Sequence, residues 1–113
     1  MREHSELTLR NQSDFNRVYN KGKSTGSKFV VVLFNSNKLG YSRTAFVASK
    51  KVGNSVCRNR ARRLMKAAYR NIQTKLANGY DIVFVARAGI SDTNEAEVER
   101  SMYGAVRAAG LLN

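Results

Sequence analysis

KKVGNSVCRNRARRLMKAAYR, residues 50 to 70, carries eight of the chain's 20 basic side chains and no acidic one. At about 100° of rotation per residue, Cys57, Ala61, Leu64, Met65, Ala68 and Ile72 gather on one side. Arg58, Asn59, Arg62, Arg63, Lys66 and Arg70 occupy the other. The pattern predicts an amphipathic helix, capped by Asn54 or Ser55 and ended by Asn78 and Gly79. Its apolar stripe would dock while its basic stripe faces outward, towards a polyanion.

Strand patterns flank this helix. RTAFVAS (43–49) precedes it and YDIVFVA (80–86) follows it, so the three predict a strand, helix, strand unit with parallel pairing across the helix. Farther upstream, FVVVLFN (29–35) puts Phe29, Val31 and Leu33 on one face and Val30, Val32 and Phe34 on the other, and both faces should be covered. The turn-forming run NSNKLGY (35–41) then predicts a hairpin between 29–35 and 43–49. SDFNRVYN (13–20) reads as a short helix with Ser13 as N-cap, Gly22 just past its end, and Phe15, Val18 and Tyr19 on one side.

Residues 92–109 read as a final helix with Glu95, Glu97 and Glu99 early, where the helix dipole favours them. Val98, Met102, Ala105, Val106 and Ala109 trace its apolar side. A further short strand fits near 23–28 or 38–42. With no proline, repeat or linker, Gly and Asn supply the punctuation, and the 113 residues read as a single domain, 1–113.

A formal charge of +12, from 20 Lys and Arg against 8 Asp and Glu, makes nucleic acid the leading partner class. Membrane partners are disfavoured: no apolar run approaches the roughly 20 residues needed to span a bilayer. The basic face also lacks the Trp, Phe or Leu that would anchor an interfacial helix. The start, MREHSELTLR, lacks an apolar signal segment, so a cytoplasmic protein is expected, and the single Cys excludes an internal disulfide.

Catalysis by the chain alone would need a base, a nucleophile or a metal site. His4 is the only histidine and is expected to be solvated. Cys57 lies on the apolar stripe and reads as a small packed residue, with a reactive thiol beside arginines as the alternative. Glu95, Glu97 and Glu99, spaced by two, diverge around a helix instead of converging on an ion. Asp14 and Asp81 sit at element boundaries and read as caps or as partners of Arg and Lys. Catalytic and metal residues are therefore expected to be absent.

A charge run usually forms a solvated face, but such faces mix signs. Arg58, Arg62, Lys66 and Arg70 instead form a row of like charge that costs stability without an anionic partner. Arginine's fork holds phosphate oxygens bidentately. Asn54 and Asn59 add hydrogen-bonding groups for sugar or base edges. Arg60 points to the margin of the basic arc, suited either to bracing the helix or to reaching into an adjacent cleft. Phe15 and Tyr19, one turn apart, read by default as core residues packing the first helix on the sheet.

The run Lys50-Lys51-Val52-Gly53-Asn54, followed by Arg58-Asn59-Arg60 and Arg62-Arg63, closely resembles the signature of the bacterial ribonuclease P protein subunit. Leu9, Asp14-Phe15, Val18-Tyr19, Phe29-Val30 and Asp81-Ile82-Val83 extend the similarity through nearly the whole chain. The resemblance implies an α+β fold. This is a two-layer α/β sandwich in αβββαβα order, with a mixed, mainly antiparallel four-stranded sheet and a left-handed βαβ crossover through the basic helix, as in ribosomal protein S5 domain 2. Sequence alone would not give that handedness, since crossovers are almost always right-handed.

The resemblance also implies a function. The protein would bind a catalytic ribonuclease P RNA and assist endonucleolytic removal of the 5′ leader from precursor tRNA. The active site and its Mg2+ would lie on the RNA, the protein would bind no cofactor, and no obligate protein partner is needed. Lys50, Lys51, Asn54, Arg58, Asn59, Arg60, Arg62, Arg63, Lys66 and Arg70 would contact RNA. Phe15 and Tyr19, with Phe29 and Val31 of the sheet, would line a cleft for the single-stranded leader, on whose aromatic faces bases can lie. Two departures stand out: the family often has an aromatic where Val32 aligns, and the segment before the first helix offers Arg10 in place of a richer basic cluster. The competing readings are a ribosomal protein or RNA chaperone of related fold, and a self-sufficient nuclease.

Overall fold

A computed structural model of the chain describes residues 8–113, so His4 lies outside the described residues. The first helix, α1 (Gln12–Lys21), begins two residues earlier than a cap at Ser13 would place it. Asn11 is the cap: its side-chain oxygen accepts from the Ser13 backbone N–H at 2.9 Å and from the Ser13 hydroxyl, which places Ser13 inside the first turn. At the other end the Gly22 N–H donates to the Val18 carbonyl. A Cβ on Gly22 would strike that carbonyl and fall 2.7 Å from the Phe34 carbonyl oxygen, so only glycine lets α1 end this close to the sheet.

The sheet has four strands in the order β1-β2-β4-β3: β1 (Lys23–Gly26), β2 (Val30–Ser36), β3 (Arg43–Val47) and β4 (Tyr80–Ala86). β1 pairs antiparallel with β2, β2 antiparallel with β4, and β3 parallel with β4. The short strand expected near 23–28 is present, and so is the parallel pairing across the basic helix.

The expected hairpin is absent, because β4 inserts between the two strands that would form it. β4 is the strand most able to fill a central place: Asp81, Ile82, Val83, Phe84 and Ala86 are all buried. The connecting loop arches over its start. Asn37 donates its backbone N–H to the Gly79 carbonyl and its side-chain amide to Asp81, while its side-chain oxygen caps Leu39.

The basic helix α2 (Ser55–Ile72) and the last helix α3 (Glu95–Ala108) cover one face of the sheet. Val30, Val32, Phe34, Ile82 and Phe84 meet Ala61, Met65, Ala68, Ile72, Val98 and Met102 there. α2 gives way to a 3-10 turn at Gln73–Lys75 well before Asn78, because buried Leu76 bridges to Leu112 and Ala77 donates to the Leu111 carbonyl. α3 likewise starts later than residue 92, since Asn94 caps the Glu97 N–H and Ile90–Asp92 forms a separate turn.

The opposite face is covered only in part. Leu9 and Val18 pack on Ala45 and Val83, with Phe15, Leu33, Val47 and Val85 half-buried around them. The expectation of two covered faces holds for one. This asymmetry predicts that Phe84→Ala, at the centre of the filled face, costs about 3–5 kcal/mol, against well under that for Val31→Ala on the open one. Denaturant unfolding of the two variants measures the difference, and equal losses would mean the faces are equally packed.

Candidate nucleic-acid interface

The sequence of α2 alternates small apolar residues with cations, and the structure sorts them cleanly. Ala61, Met65, Ala68 and Ile72 are buried, Cys57 and Leu64 partly so against the same core, and Arg63, Lys66 and Arg70 are exposed. Cys57 packs on Gly53, whose φ of +143° and whose missing Cβ, which would lie 2.9 Å from the Cys57 Cβ, let the chain turn sharply into the helix.

The helix start differs from the other two. α1 has Asp14 and α3 has Glu95 and Glu97 in the first turn, whereas α2 has no acid there. Its first turn carries Arg58 and is preceded in the chain by Lys50 and Lys51, an arrangement that favours an external anion. Among the described residues, no carboxylate lies within ion-pair distance of any α2 cation.

Several site residues also have internal roles. The Asn54 side-chain oxygen caps α2 by accepting from the Cys57 N–H at 3.0 Å. Arg58 donates to the Ser55 hydroxyl and Arg62 to the Asn59 side-chain oxygen at 2.6 Å, which holds these guanidinium groups on the outer arc. Arg60 departs from the row. Its guanidinium donates to the carbonyls of Ser91 (2.8 Å) and Thr93 (2.9 Å), bracing α2 against the turn that leads into α3.

A groove runs beside this row. One hollow of about 360 Å3 is lined by Ser42, Thr44, Phe46, Lys66, Tyr69 and Arg70, among others. A second, of about 300 Å3, is lined by Leu9, Phe15, Thr44, Phe46, Val47 and Lys66, among others. They share Thr8, Thr44, Phe46 and Lys66, so the groove passes around the outer edge of β3 from Phe15 to the basic row. Phe15 and Tyr19 stack with ring centroids 6.3 Å apart and planes 19° apart, and Tyr19 is 50% exposed. Partial burial raises the Tyr19 phenol above its ordinary pKa. Burial raises that of Tyr69 too, with a hydrogen bond to Thr44 opposing it.

The structure brings Phe15, Tyr19 and Val31 to one side of the sheet and leaves Phe29 out. Phe29 lies before β2, where the alternation has not begun. It packs against the α2/α3 core, its N–H donates to the Ser101 hydroxyl, and the Lys28 ammonium sits 5.3 Å above its ring. Val32 is fully buried on the helix-covered face, so its departure from an aromatic does not bear on the cleft. Phe46 and Tyr69 went unnoticed in the sequence as groove residues. Both look like ordinary core positions until the edge location of β3 is known.

Asp14, Asp81, Glu97 and Glu99 have partners outside the cation row. Arg43 holds Asp81 through two 2.8 Å bonds and Asp14 at 3.1 Å, and its pKa is raised, first by the hydrogen bond to Asp81. Glu97 pairs with Arg100 and Glu99 accepts from Asn71, so these two glutamates face different partners. No group of three or more His, Cys, Asp or Glu suited to a metal ion occurs among the described residues, and no helix there is long and apolar enough to cross a membrane.

The Ribonuclease P family profile matches residues 4–110. The chain belongs to the ribonuclease P protein family. The ribonuclease P protein component of Clostridioides difficile (strain 630) is 45% identical over 100 residues, covering 88% of each chain. That of Alkaliphilus metalliredigens is 39% identical over 109 residues, covering 96% of this chain and 98% of its own. Among solved structures, the Staphylococcus aureus RNase P protein superposes with a TM-score of 0.83 at 27% identity, covering 95% of this chain and 98% of that one. The Thermotoga maritima RNase P protein gives 0.76 at 29% identity, covering 86% and 92%. The α+β fold with its mixed four-stranded sheet is thus that of ribonuclease P proteins.

Within this ribonuclease P scaffold the cations divide into an outward row and a brace, and they should respond differently to truncation. Arg62→Ala or Arg58→Ala is expected to weaken RNA binding while changing stability by no more than about 0.5 kcal/mol. Arg60→Ala should lower stability by about 1 kcal/mol through loss of its two charge-assisted bonds. Equilibrium unfolding and filter binding on the same variants separate the two classes, and large unfolding by Arg62→Ala would make it structural.

Proposed function

We propose that this chain is the protein subunit of ribonuclease P, which binds the catalytic RNA through α2 and the 5′ leader of precursor tRNA through the groove beside Phe15 and Tyr19. The observation that carries the reading is the outward row of Arg58, Arg62, Lys66 and Arg70, on a helix whose first turn holds no acid. A duplex backbone supplies the missing anions. The groove supports the second half of the reading, since stacked aromatics beside a cation suit unpaired bases of any sequence.

In this reading the protein positions and screens charge. The RNA carries the active site and the Mg2+ that the reaction uses, and the RNA-protein complex resides in the cytoplasm with no further protein required. The engaged state of Asp14, Asp81, Glu97 and Glu99 supports that division of labour.

Adding the pure protein to cognate ribonuclease P RNA at low Mg2+ is expected to stimulate removal of the leader from precursor tRNA. No stimulation would favour a ribosomal protein or RNA chaperone, and cleavage by protein alone would point to a self-sufficient nuclease. Affinity for the catalytic RNA should fall steeply with salt, with a log-log slope of up to about 0.9 per duplex phosphate neutralised and about 0.7 per single-strand phosphate. A flat response would sink the model. Phe15→Ala is expected to weaken binding of leader-bearing precursor more than of mature tRNA, and equal losses would return Phe15 to the core.

A further inference from the structure

The helix that carries Phe15 and Tyr19 has little apolar hold on the sheet. Of its ten residues only Val18 is fully buried, and Phe15 rests half-buried beside it. A single buried side chain sets the distance of a helix from a sheet, yet leaves its roll and slide loosely determined. Two other contacts supply what is missing. At the C-terminal end, Gly22 brings the backbone against the Phe34 carbonyl of β2. At the N-terminal end, Asp14 accepts from Arg43 of β3, and Arg43 is itself clamped in two bonds by Asp81 of β4.

The clamp is built to be stiff. Asp81 is 2% exposed, Arg43 20% and Asp14 13%, so these charges are shielded from solvent and weakly screened by salt. Asn37 donates to the same Asp81 carboxylate at 3.0 Å, which keeps Arg43 from swinging. Arg17 adds a second bond to Asp14 from within the helix. Two carboxylates and two guanidinium groups leave the junction neutral.

Resting on the reading that the groove holds the leader, we infer that Asp14 is a positioning residue for leader recognition, fixing the N-terminal end of α1, through Arg43 and Asp81, so that Phe15 stands at a set height beside the groove. Without it, α1 pivots about its close contact at Gly22. Phe15, next to the lost tether, moves most, and Tyr19, nearer the pivot, moves least. Electrostatics alone gives the opposite sign. Removing an acid beside the groove uncovers Arg17 and Arg43 and would raise affinity for any RNA, whereas loss of positioning lowers affinity for the leader selectively.

The test uses the reconstituted RNA-protein holoenzyme and compares precursor tRNA with mature tRNA. Asp14→Ala is expected to raise KM for precursor about tenfold, leaving kcat at saturation unchanged and the affinities for mature tRNA and for the catalytic RNA undiminished. The double variant with Phe15→Ala should lose no more than Phe15→Ala alone, because the tether acts through that ring. Asp14→Asn, which keeps the side chain's size and the first helical turn, should show the same direction of change if Asp14→Ala folds poorly by circular dichroism. Unchanged or tighter precursor binding in both variants, with Phe15→Ala still defective, overturns the inference and leaves the proposed function standing. Losses that add in the double variant overturn it as well, since they mean that Asp14 acts on affinity independently of the Phe15 ring. If Phe15→Ala itself has no selective effect, the reading of the groove falls and the inference with it.

Discussion

The placement of β4 between an antiparallel and a parallel neighbour is the constraint from which the rest of the molecule follows. A parallel neighbour requires a crossover, and the only chain available for it is the segment that becomes α2. The basic helix is therefore pinned against the sheet at both ends. Its apolar stripe has to lie over Phe84 and its neighbours, and its charged stripe has no direction left except outward. β4 also carries Asp81, the anchor to which Arg43 and then α1 are tied. One strand thus orients both the basic surface and the aromatic helix.

The charge distribution follows a similar economy. Asp14 and Asp81 are used at the Arg43 junction and Glu97 pairs with Arg100 on α3, and among the described residues no carboxylate pairs with the row that faces out from α2. Like charges at i, i+4 spacing repel by a few tenths of a kcal/mol per pair, a burden the core beneath α2 carries easily when Met65, Ala68 and Ile72 are fully buried.

Much of this was legible from residues alone. The elements could be read because their periodicities are strong, and the outward row because cations and small apolar residues sort at helical spacing. The pairing of β2 with β4 could not be read. A turn-rich loop between two strands looks the same whether they are neighbours or straddle a third. The fate of Phe29 depended on where alternation begins, a shift of one residue. The brace made by Arg60 was half visible: its angle on the arc set it apart, but its acceptors are main-chain carbonyls, which carry no sequence signature. The groove around β3 was invisible because it follows from which strand lies at the edge.

The two edges of the sheet have a bearing on solubility. β1 is only four residues long and carries Lys23 and Gly26, and β3 is five residues long with its outer side met at Thr44 by the Leu9 N–H. Short, charged or partly covered edges offer poor templates for a strand from another copy. A net charge of +12 keeps free molecules apart by repulsion. Any polyanion that neutralises that charge removes the repulsion and crowds copies along one strand of nucleic acid. In that crowded, neutralised state the blunt edges are the safeguard against sheet-to-sheet aggregation that remains.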